Sequence, residues 1–586
     1  MQQWLLMNKK ADFTVIGEKF KIDQVTARII RNRDVIEDED IRKYLHGDLN
    51  DLYNPHLLKD GDRLVDILMK KIEEQKSIRI IGDYDIDGVM ATYVLKRALD
   101  RCGANVSIQI PDRIHDGYGL NRKLIEKAKE DDVDTILTCD NGIAAIEEIA
   151  YAKELGMTVL VTDHHEIPYE EVDGVRIYKQ SQADAIVNPH QESCSYPYKK
   201  LCGAAVAWKV VCLLYERMGI AFSEAEELLE NVGFATVGDI MPLTDENRIL
   251  VKEGIKRIRK TKNIGMKALI AQCGLEAGQI DAFHFGFVLG PCINASGRLD
   301  TAKRALELFF QNNPVVAMQI ANELVVLNEE RKEMTKEGVD EAVRFYEEHD
   351  CEKDDVLVIY LPDVHESIAG IIAGRIREKY YKPVFVLTKG EEGVKGSGRS
   401  TEEYSMYEEM CKCQELFTKF GGHPMAAGLS LPEENVDVFR RKINELSSLS
   451  EMDKKQKVRI DVPMPLDYVT MDLVNEFSVL APFGKDNTKP VFADKNIRVK
   501  RMWIMGKNRN VMKLSLITAS GMPVSGIYFG DIDSFCAYLE EKFGKEEVEA
   551  AFAGQANEII LSMIYFPKIN SFRGLDELQF EIQYYQ

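Results

Sequence analysis

Residues 77–88 read SIRIIGDYDIDG, a short apolar run followed by a turn rich in aspartate and glycine. Four further apolar runs follow, at 106–110, 135–138, 158–161 and 185–187, and segments with helical spacing separate them. Short buried strands that alternate with helices are typical of a parallel sheet covered on both faces. The binding crevice of such an α/β sheet lies at the carboxyl ends of its strands. The turn at 82–88 stands at that edge.

The composition indicates a large globular chain. It has 586 residues, with 45% hydrophobic and 29% charged residues, which excludes a mainly disordered protein. The net charge of −21 does not favour non-specific binding to polyanions, so a nucleic-acid partner would need local basic pockets or metal ions. Eleven cysteines without a spaced framework predict reduced thiols and a cytoplasmic location. We expect no signal peptide and no membrane contact, because no apolar run approaches about 20 residues.

Changes in sequence texture predict five segments. They are an N-terminal segment (1–60), an α/β domain with a parallel sheet (61–300), connecting helices (301–350), a second, smaller α/β domain (351–455) and a C-terminal β-barrel (456–586). Apolar residues recur at helical spacing after Pro314, which suits the first turn of a helix. We therefore expect one long helix to join the two α/β domains.

Acidic residues and histidines follow several of the predicted strands. They are Asp83, Asp85, Asp87, Asp140, Asp163, His164, His165 and Asp239. Carboxylates and imidazoles without cysteine favour Mn²⁺ or Mg²⁺ over structural zinc. Taken alone, each motif is more often a turn or a helix cap than a metal ligand. Taken together, acids at successive strand ends point to one place, which predicts a metal site in the crevice.

The order of these motifs resembles that of a known family. Asp85-Ile86-Asp87, Asp140, Asp163-His164-His165 and Asp239 match, in sequence, the four motifs of the DHH phosphoesterases. Further segments resemble the members that degrade single-stranded DNA from the 5′ end: 82–91, 111–113, 117–120, 187–190, 234–243, 290–299, 421–428 and 481–484. The resemblance implies a DHH catalytic domain, a DHHA1-type substrate-binding domain and an OB-fold that binds nucleic acid.

The resemblance also implies a role for each residue of the metal site. Two divalent cations, Mn²⁺ or Mg²⁺, are expected. Asp85 and Asp140 would bind one, and Asp87, Asp140, His164 and Asp239 would bind the other, so that Asp140 bridges. Asp83 would assist. Asp140, His164 and His165 are the predicted catalytic residues, and His165 would contact the phosphate or support the site, with general acid as the weaker alternative.

A second set of residues is implied as the substrate pocket. By resemblance, Arg113, Arg298, Ser397 and Arg399 hold the 5′-phosphate, and His423 contacts the substrate. Without the family, the glycine-relieved stretch 395–400 favours a β-turn with a solvated arginine. Arg113 and Arg298 would then be surface ion pairs, and His423 would be a turn histidine.

The predicted barrel contains a local excess of basic residues. Between 490 and 513 stand Lys495, Arg498, Lys500, Arg501, Lys507, Arg509 and Lys513, with Asp494 as the single acid. This excess suits phosphate contacts in a single-strand groove. Trp503 lies among these residues, and we expect it in the core rather than stacked on a base.

The resemblance implies a 5′→3′ exonuclease that releases 5′-mononucleotides from single-stranded DNA in recombination and repair. A single-strand-binding protein and a helicase are the implied partners. Two alternatives stay open: a phosphodiesterase for short oligonucleotides or cyclic dinucleotides, and an inactive replication-associated scaffold. Two positions depart from the family pattern, since Cys292 stands where a basic residue is usual and Val364 where Trp is frequent.

Overall fold

The computed structural model describes residues 2–113, 116, 117, 119–172, 175–390, 393–506, 509–572 and 574–586. Tyr118, in one of the motifs quoted above, and Lys507 lie outside this set. The chain forms two compact units, one of residues 48–456 and one of residues 1–47 with 457–586. Within the described residues, no helix combines the length and the apolar character that crossing a bilayer requires.

The first 47 residues contain one strand and three helices. They are β1 (Gln3–Leu6), α1 (Phe13–Phe20), α2 (Gln24–Asn32) and α3 (Asp38–His46). The side chains of Asp12 and Asp23 accept hydrogen bonds from the backbone at the starts of α1 and α2. These caps satisfy amides that would otherwise lack a partner, which fixes where both helices begin.

The larger unit begins with a parallel sheet. Its elements are α4 (Gly61–Glu73), β2 (Ser77–Ile81), α5 (Ile86–Arg101), β3 (Asn105–Gln109), α6 (Arg122–Glu130), β4 (Thr135–Cys139), α7 (Ile146–Glu154), β5 (Thr158–Thr162), β6 (Tyr169–Val172), β7 (Val175–Tyr178) and β8 (Ala185–Val187). The strand order is β3-β2-β4-β5-β8, with all neighbours parallel. The predicted parallel sheet is confirmed. The antiparallel hairpin β6–β7 was not predicted.

Helices cover the sheet and lead to the second lobe. They are α8 (Gly203–Met218), α9 (Phe222–Glu226), α10 (Leu229–Gly238), α11 (Asp245–Ile258), α12 (Ile264–Gln272), α13 (Ala282–His284), α14 (Gly290–Leu299), α15 (Ala302–Phe310) and α16 (Pro314–Glu348). A π-helical turn, Phe285–Leu289, precedes α14. Helix α16 has 35 residues and is therefore about 52 Å long. Near its start, Ile320 and Leu324 pack in the hydrophobic core of the parallel-sheet lobe. Near its end, Ala342 packs in a core of the second lobe, so α16 joins the two lobes as expected.

The second lobe is a smaller mixed sheet with helices. Its elements are β9 (Leu357–Tyr360), α17 (Ala369–Tyr380), β10 (Val384–Gly390), β11 (Gly393–Arg399), α18 (Met406–Cys411), β12 (Lys419–His423), β13 (Ala426–Leu431) and α19 (Val436–Glu445). The strand order is β12-β13-β11-β10-β9, and only the β9–β10 pair is parallel.

The interpretation of residues 395–400 as a β-turn is wrong. All but the last of these residues belong to the central strand β11, which pairs with both β10 and β13. Its glycines are needed for packing, because a Cβ on Gly396 would lie 2.4 Å from Leu387 Cδ2, and one on Gly398 would lie 2.6 Å from Met406 Sδ. Neighbouring apolar side chains fill that space. The glycines therefore indicate close packing over a strand instead of a flexible loop.

The C-terminal part forms a closed barrel. Its elements are β14 (Lys457–Ile460), β15 (Val462–Pro463), α20 (Met471–Glu476), β16 (Phe492–Met505), β17 (Val511–Ile517), β18 (Pro523–Phe529), α21 (Ile532–Phe543), α22 (Lys545–Ala553), β19 (Ile560–Phe572) and β20 (Leu575–Tyr585). The order β16-β17-β18-β20-β19 returns to β16 through an additional β16–β19 pairing. The predicted small barrel is confirmed.

The N-terminal segment packs with this barrel. Strand β1 pairs in parallel with β14, from Gln3 opposite Lys457 onward. Arg33 and Asp461 form an ion pair in which both side chains are buried. The hydroxyl of Tyr44 donates to Asn487 Oδ1 at 2.8 Å. No sequence pattern predicted this association, because it joins residues more than four hundred positions apart.

Candidate metal centre and substrate pocket

The turn after β2 is held by helix capping. Asp85 is the N-cap of α5, and its Oδ1 accepts hydrogen bonds from the backbone amides of Asp87 at 3.0 Å and Gly88 at 3.1 Å. Asp87 in turn accepts from the amides of Gly203 at 2.5 Å and Ala204 at 2.8 Å, at the start of α8. The positive end of α8 therefore points at a carboxylate that it stabilises.

Asp140 directly follows β4 in a left-handed conformation, with φ of +61°. Its backbone amide donates to the carbonyl of Thr162 on the next strand at 3.1 Å, which ties the bend to the sheet. A Cβ on Gly203 would lie 2.6 Å from Asp140 Cβ. Only glycine leaves room for the start of α8 to approach Asp140 this closely.

His164 brings together acids from three different parts of the chain. Its Nε2 lies 3.1 Å from Asp140 Oδ1, 3.6 Å from Asp87 Oδ2 and 3.7 Å from Asp239 Oδ2. Asp239 immediately follows α10 and forms its C-cap. Burial lowers the pKa of His164, although the negative charge of Asp87 raises it. The neutral imidazole is the form that binds a metal ion.

His165 has a separate support. Its Nδ1 lies 2.7 Å from Asp163 Oδ1, and the same carboxylate accepts from the backbone amides of His164, His165 and Ile143. Burial alone lowers the pKa of His165, but the hydrogen bond and charge of Asp163 outweigh it and raise that pKa to about 9. His165 is therefore a cation at neutral pH in the absence of metal.

The carboxyl groups at the end of the sheet are poorly compensated. Burial, and then repulsion from neighbouring carboxylates, raises the pKa of Asp83, Asp85 and Asp140. Within the described chain, the buried Oδ1 of Asp83 has no hydrogen-bond partner. Crowded buried carboxylates of this kind need cations to ionise together.

The donor atoms fall into groups that suit metal ions. Within each of three groups, the atoms lie within 4.8 Å of one another: Asp83, Asp85 and Asp140; Asp87, His164 and Asp239; and Asp140, His164 and His165. All the residues predicted as metal ligands are therefore brought together, with Asp140 shared between two groups. The oxygen-rich sets with imidazole suit Mn²⁺ or Mg²⁺.

Arg113 and Arg298 line a cavity together with acids of the metal centre, and the charge of a third arginine, Arg399, acts on Arg298. Arg113 stacks on Tyr84, with its guanidinium carbon 5.1 Å from the ring centre. Arg298 donates to the carbonyl of Ser367 at 2.8 Å; burial, and then repulsion by other arginines including Arg113 and Arg399, lowers its pKa to about 10. None of the three forms an ion pair within the described residues, so the expected surface ion pairs of Arg113 and Arg298 are absent there. Guanidinium groups that repel one another and form no ion pair within the described residues are suited to binding an anion.

Two cavities meet at Arg113. One, of about 330 Å³, is lined by Asp83, Asp85, Asp239 and Arg298 among others. The other, of about 390 Å³, is lined by Ser397 and Lys395 on β11 and by further residues of the second lobe. Arg113 lines both, and the Arg399 guanidinium lies against Gly370, where a Cβ would be 2.8 Å from Nη2. Of the predicted residues, Arg113, Arg298 and Ser397 line these cavities, whereas Arg399 lines neither and contacts Gly370, next to the lining residue Ala369.

His423 is not part of this grouping. It ends β12, its side chain is exposed, and it does not line either cavity.

Cys292 is buried, with its Sγ 3.9 Å from that of Cys273. Val364 packs beside α16, 3.5 Å from the position of a Cβ on Gly338. Neither departure from the family pattern places a side chain among the metal ligands.

The basic stretch of the barrel lies mainly along one strand. Lys495, Arg498, Lys500 and Arg501 are exposed on β16, Arg509 is exposed in the loop, and Lys513 is half-buried on β17. Trp503 is half-buried, and Arg501 lies over its ring at 4.8 Å from the centroid. The expectation that Trp503 is a core residue is wrong, because the neighbouring Met502 points into the barrel core and successive side chains of a strand alternate between its faces.

Several supporting residues were not predicted. Gly203 and Ala204 hold Asp87 through backbone amides, and Asn294 Oδ1 accepts from the amide of Ile86 at 2.8 Å, which fixes the start of α5. Lys395 lines the second cavity and pairs with Glu366 at 2.8 Å. The sequence signal for the contact between the start of α8 and the metal-site acids was Gly203, which opens a long apolar helix.

The fold and this cluster are those of the DHH family. Residues 77–235 match the DHH family, N-terminal domain; residues 353–448 match the DHHA1 domain; and residues 460–584 match the RecJ OB domain. The match of all three in this order accounts for both α/β lobes and the barrel.

Individual relatives narrow the class to one family. The chain is 34% identical over 86% of its length to the single-stranded-DNA-specific exonuclease RecJ of Bacillus subtilis (strain 168), of which it spans 62%. It is 32% identical over 86% of its length to the enzyme of the same name from Escherichia coli (strain K12), of which it spans 88%. The chain belongs to the RecJ family.

Solved structures agree with this fold. RecJ of Thermus thermophilus in complex with Mn²⁺ superposes with a TM-score of 0.81 at 23% identity, covering 100% of this chain and 79% of that one. An exonuclease RecJ bound to manganese has a TM-score of 0.57 at 29% identity, covering 68% of this chain and 98% of that one. The first likeness extends over both units described above.

Proposed function

We propose that this chain is a metal-dependent exonuclease that hydrolyses single-stranded DNA in the 5′→3′ direction and releases 5′-mononucleotides. Its RecJ relatives are named single-stranded-DNA-specific exonucleases. The observation that carries the proposal is the convergence of Asp140, Asp87 and Asp239 on His164 Nε2, beside Arg113 and Arg298, which form no ion pair among the described residues. A centre of this kind combines ligands for metal with a site for phosphate.

The three ligand groups support separate roles for two divalent ions. Asp83, Asp85 and Asp140 would hold one divalent ion, and Asp87, His164 and Asp239 the other, with Asp140 also reaching the second. When bound, Mn²⁺ or Mg²⁺ supplies a hydroxide at neutral pH and positive charge for the phosphodiester oxygens. The chain's own contribution is orientation: α8 fixes Asp87, and Asp163 holds His165 as a cation directed at the same place. We propose that His165 contacts the scissile phosphate.

The arginine pocket would select the strand end. Arg113, Arg298 and Ser397 line two cavities that share Arg113, and the charge of Arg399 acts on Arg298, so that a terminal phosphate could accept several guanidinium hydrogen bonds there. Binding the 5′-phosphate there places the first phosphodiester toward the metal ligands that line the adjoining cavity. The polarity would then follow from the position of the anion pocket.

The barrel would bind the backbone of the strand. Its exposed row of lysines and arginines on β16 suits phosphate contacts, and the partly exposed ring of Trp503 suits stacking on a base. We further propose, from the family resemblance alone, that the enzyme acts in the cytoplasm in recombination and repair, together with a helicase and a single-strand-binding protein.

A labelled-strand time course tests the proposed activity. Single strands labelled at the 5′ or 3′ end, and a blunt duplex of the same sequence, are incubated with the chain and Mn²⁺, Mg²⁺ or EDTA. We expect immediate release of 5′-labelled mononucleotide from the single strand, with metal only. A delayed 5′ signal would refute the polarity. Activity restricted to dinucleotides would favour the short-oligonucleotide phosphodiesterase, and inactivity with every metal would favour the scaffold.

A further inference from the structure

A cavity of about 660 Å³ lies in the first lobe, away from the residues assigned above. Its walls come from the second half of α5, the start of α10, the end of α11 and the loop that follows α15. None of its lining residues is a predicted metal ligand or lines the two cavities at Arg113. Its volume is in the range of small-molecule sites.

The wall of the cavity contains a buried carboxyl group. Glu230, in the first turn of α10, is 8% exposed, and its Oε1 accepts from the hydroxyl of Thr261 at 3.0 Å. Its second oxygen has no hydrogen bond within the described part of the chain. Burial, offset by this hydrogen bond, raises the pKa of Glu230 to about 7. The second oxygen is therefore placed to accept from an N–H donor of a ligand in the cavity.

The cavity that contains this carboxyl group is rich in basic side chains. Arg97, Lys256, Arg257, Lys260 and Lys262 line the cavity, against the acids Glu227 and Glu230. Lys256, Arg257 and Lys262 have acidic partners, whereas Arg97 and Lys260 have no ion-pair partner among the described residues. The Nε of Arg257 is buried and lacks a hydrogen-bond partner in that same part of the chain. The cavity therefore has positive charge that no described protein group neutralises.

Aromatic side chains complete the wall. Tyr93 and Phe310 have ring centres 4.9 Å apart, and Phe310 is half-exposed. Asn263 donates to the hydroxyl of Tyr93 at 3.0 Å and fixes its orientation. Phe310 offers an apolar face against which a planar ring can pack.

We propose that this cavity binds a purine nucleotide, with the guanine base preferred. Guanine presents adjacent N–H donors on its Watson–Crick edge. They match the two carboxylate oxygens of Glu230, since Oε1 keeps a second lone pair beside its bond from Thr261, while Phe310 packs against the ring. Arg97 and Lys260 are the expected contacts of the phosphates. An acidic peptide would satisfy the cations but would bring carboxylates toward Glu230, and it supplies no ring with paired donors.

The position of the cavity connects it to the catalytic lobe. Helix α5 begins next to its cap Asp85, contains Asp87, and passes the cavity at Tyr93 and Arg97. Helix α10 begins in the cavity and ends at its C-cap Asp239. Asn231 Nδ2 lies 3.4 Å from Met90 Sδ and links the two helices. The two helices that carry metal-site acids thus also form the nucleotide site, although binding there requires no metal.

Calorimetric titration of the full chain with GDP in EDTA tests the proposal. We expect one site that binds GDP more tightly than guanosine, pyrophosphate or ADP. The exposed-residue variants Lys260→Ala and Arg97→Ala should each weaken GDP binding about tenfold. Glu230→Gln should reduce the preference for GDP over ADP. Lys127→Ala, which removes an exposed lysine elsewhere on the same lobe, serves as the matched control and should bind GDP normally.

Three outcomes would overturn the nucleotide site. The first is the absence of GDP binding. The second is GDP binding that Arg298→Ala removes and Lys260→Ala does not, which would assign the nucleotide to the anion pocket near the metal centre. The third is preferential binding of an acidic peptide that competes with GDP and depends on Lys260. Because the titration excludes metal and measures no hydrolysis, its failure would leave the proposed exonuclease activity unaffected.

Discussion

At the scale of single residues, the metal centre depends on side chains whose charges are costly without cations. Asp83, Asp85 and Asp140 have raised pKa values because they are buried close together. The pKa of His164 is lowered by burial, and that of His165 is raised by Asp163. The pKa values of these two neighbouring histidines are therefore shifted in opposite directions, and their environments account for the difference.

Replacing Asp140 tests its shared position. Asp140→Ala removes a carboxylate common to two ligand groups, so we expect hydrolysis of single-stranded DNA to fall by at least about a hundredfold. Binding of the strand, measured by fluorescence anisotropy, should change little, since the arginines and the barrel are intact. Turnover close to that of the wild type would show that Asp140 is not a shared ligand.

Replacing Arg399 tests the anion pocket. Arg399→Ala removes a guanidinium whose charge acts on Arg298, and we expect the preference for a 5′-phosphate over a 5′-hydroxyl end to fall about tenfold in kcat/KM. Arg375→Ala is the matched control, because Arg375 is exposed on α17 of the same lobe and pairs with Glu378. An unchanged preference in Arg399→Ala would remove this residue from the pocket.

At the scale of secondary-structure elements, the sequence predicted the contacts that follow from a parallel sheet. Acids after β2 and β4 had to meet at one edge of the sheet, because parallel strands end on the same side. The strand β11 could not be predicted, since glycine is unfavourable in strands and its reason here is the packing of Leu387 and Met406 over Gly396 and Gly398. The hydrogen bonds from the first amides of α8 to the Asp87 carboxylate were also not predicted, because they join positions far apart in the chain.

Helix α8 offers a test of close approach. In Gly203→Ala the added methyl would lie 2.6 Å from Asp140 Cβ, so the helix start or Asp140 must move. We expect about a hundredfold loss of nuclease activity, because small displacements of reacting groups have effects of that order. Gly374→Ala in α17 is the control, since its methyl meets no atom within 4 Å. Normal activity in Gly203→Ala would contradict the required close approach.

At the scale of the whole molecule, the metal site makes stability depend on pH. The raised pKa values mean that ionising these carboxyls costs more in the folded state than in the unfolded state. Their contribution to the free energy of unfolding therefore falls as pH rises from the unfolded pKa values through the folded ones. Metal ions reverse this loss by binding the ionised form.

Thermal unfolding with and without Mn²⁺ measures this linkage. We expect Mn²⁺ to raise the melting temperature more at about pH 8 than at about pH 6, because protons compete with the metal at lower pH. Asp140→Asn should lose most of the increase. Asp131→Asn, which alters a half-exposed carboxyl paired with Arg79 outside the site, should retain it. An equal increase at both pH values would indicate metal binding elsewhere.

The association of residues 1–47 with the barrel has a consequence for biosynthesis. The segment that carries β1 is translated before its partner β14, which follows only after the entire 48–456 unit. Folding of the smaller unit is thus postponed until residues 457–586 have been translated, while the nascent α2 and α3 keep apolar side chains such as Ile29, Ile30 and Leu45 uncovered. Binding by a chaperone during elongation would protect these surfaces from aggregation.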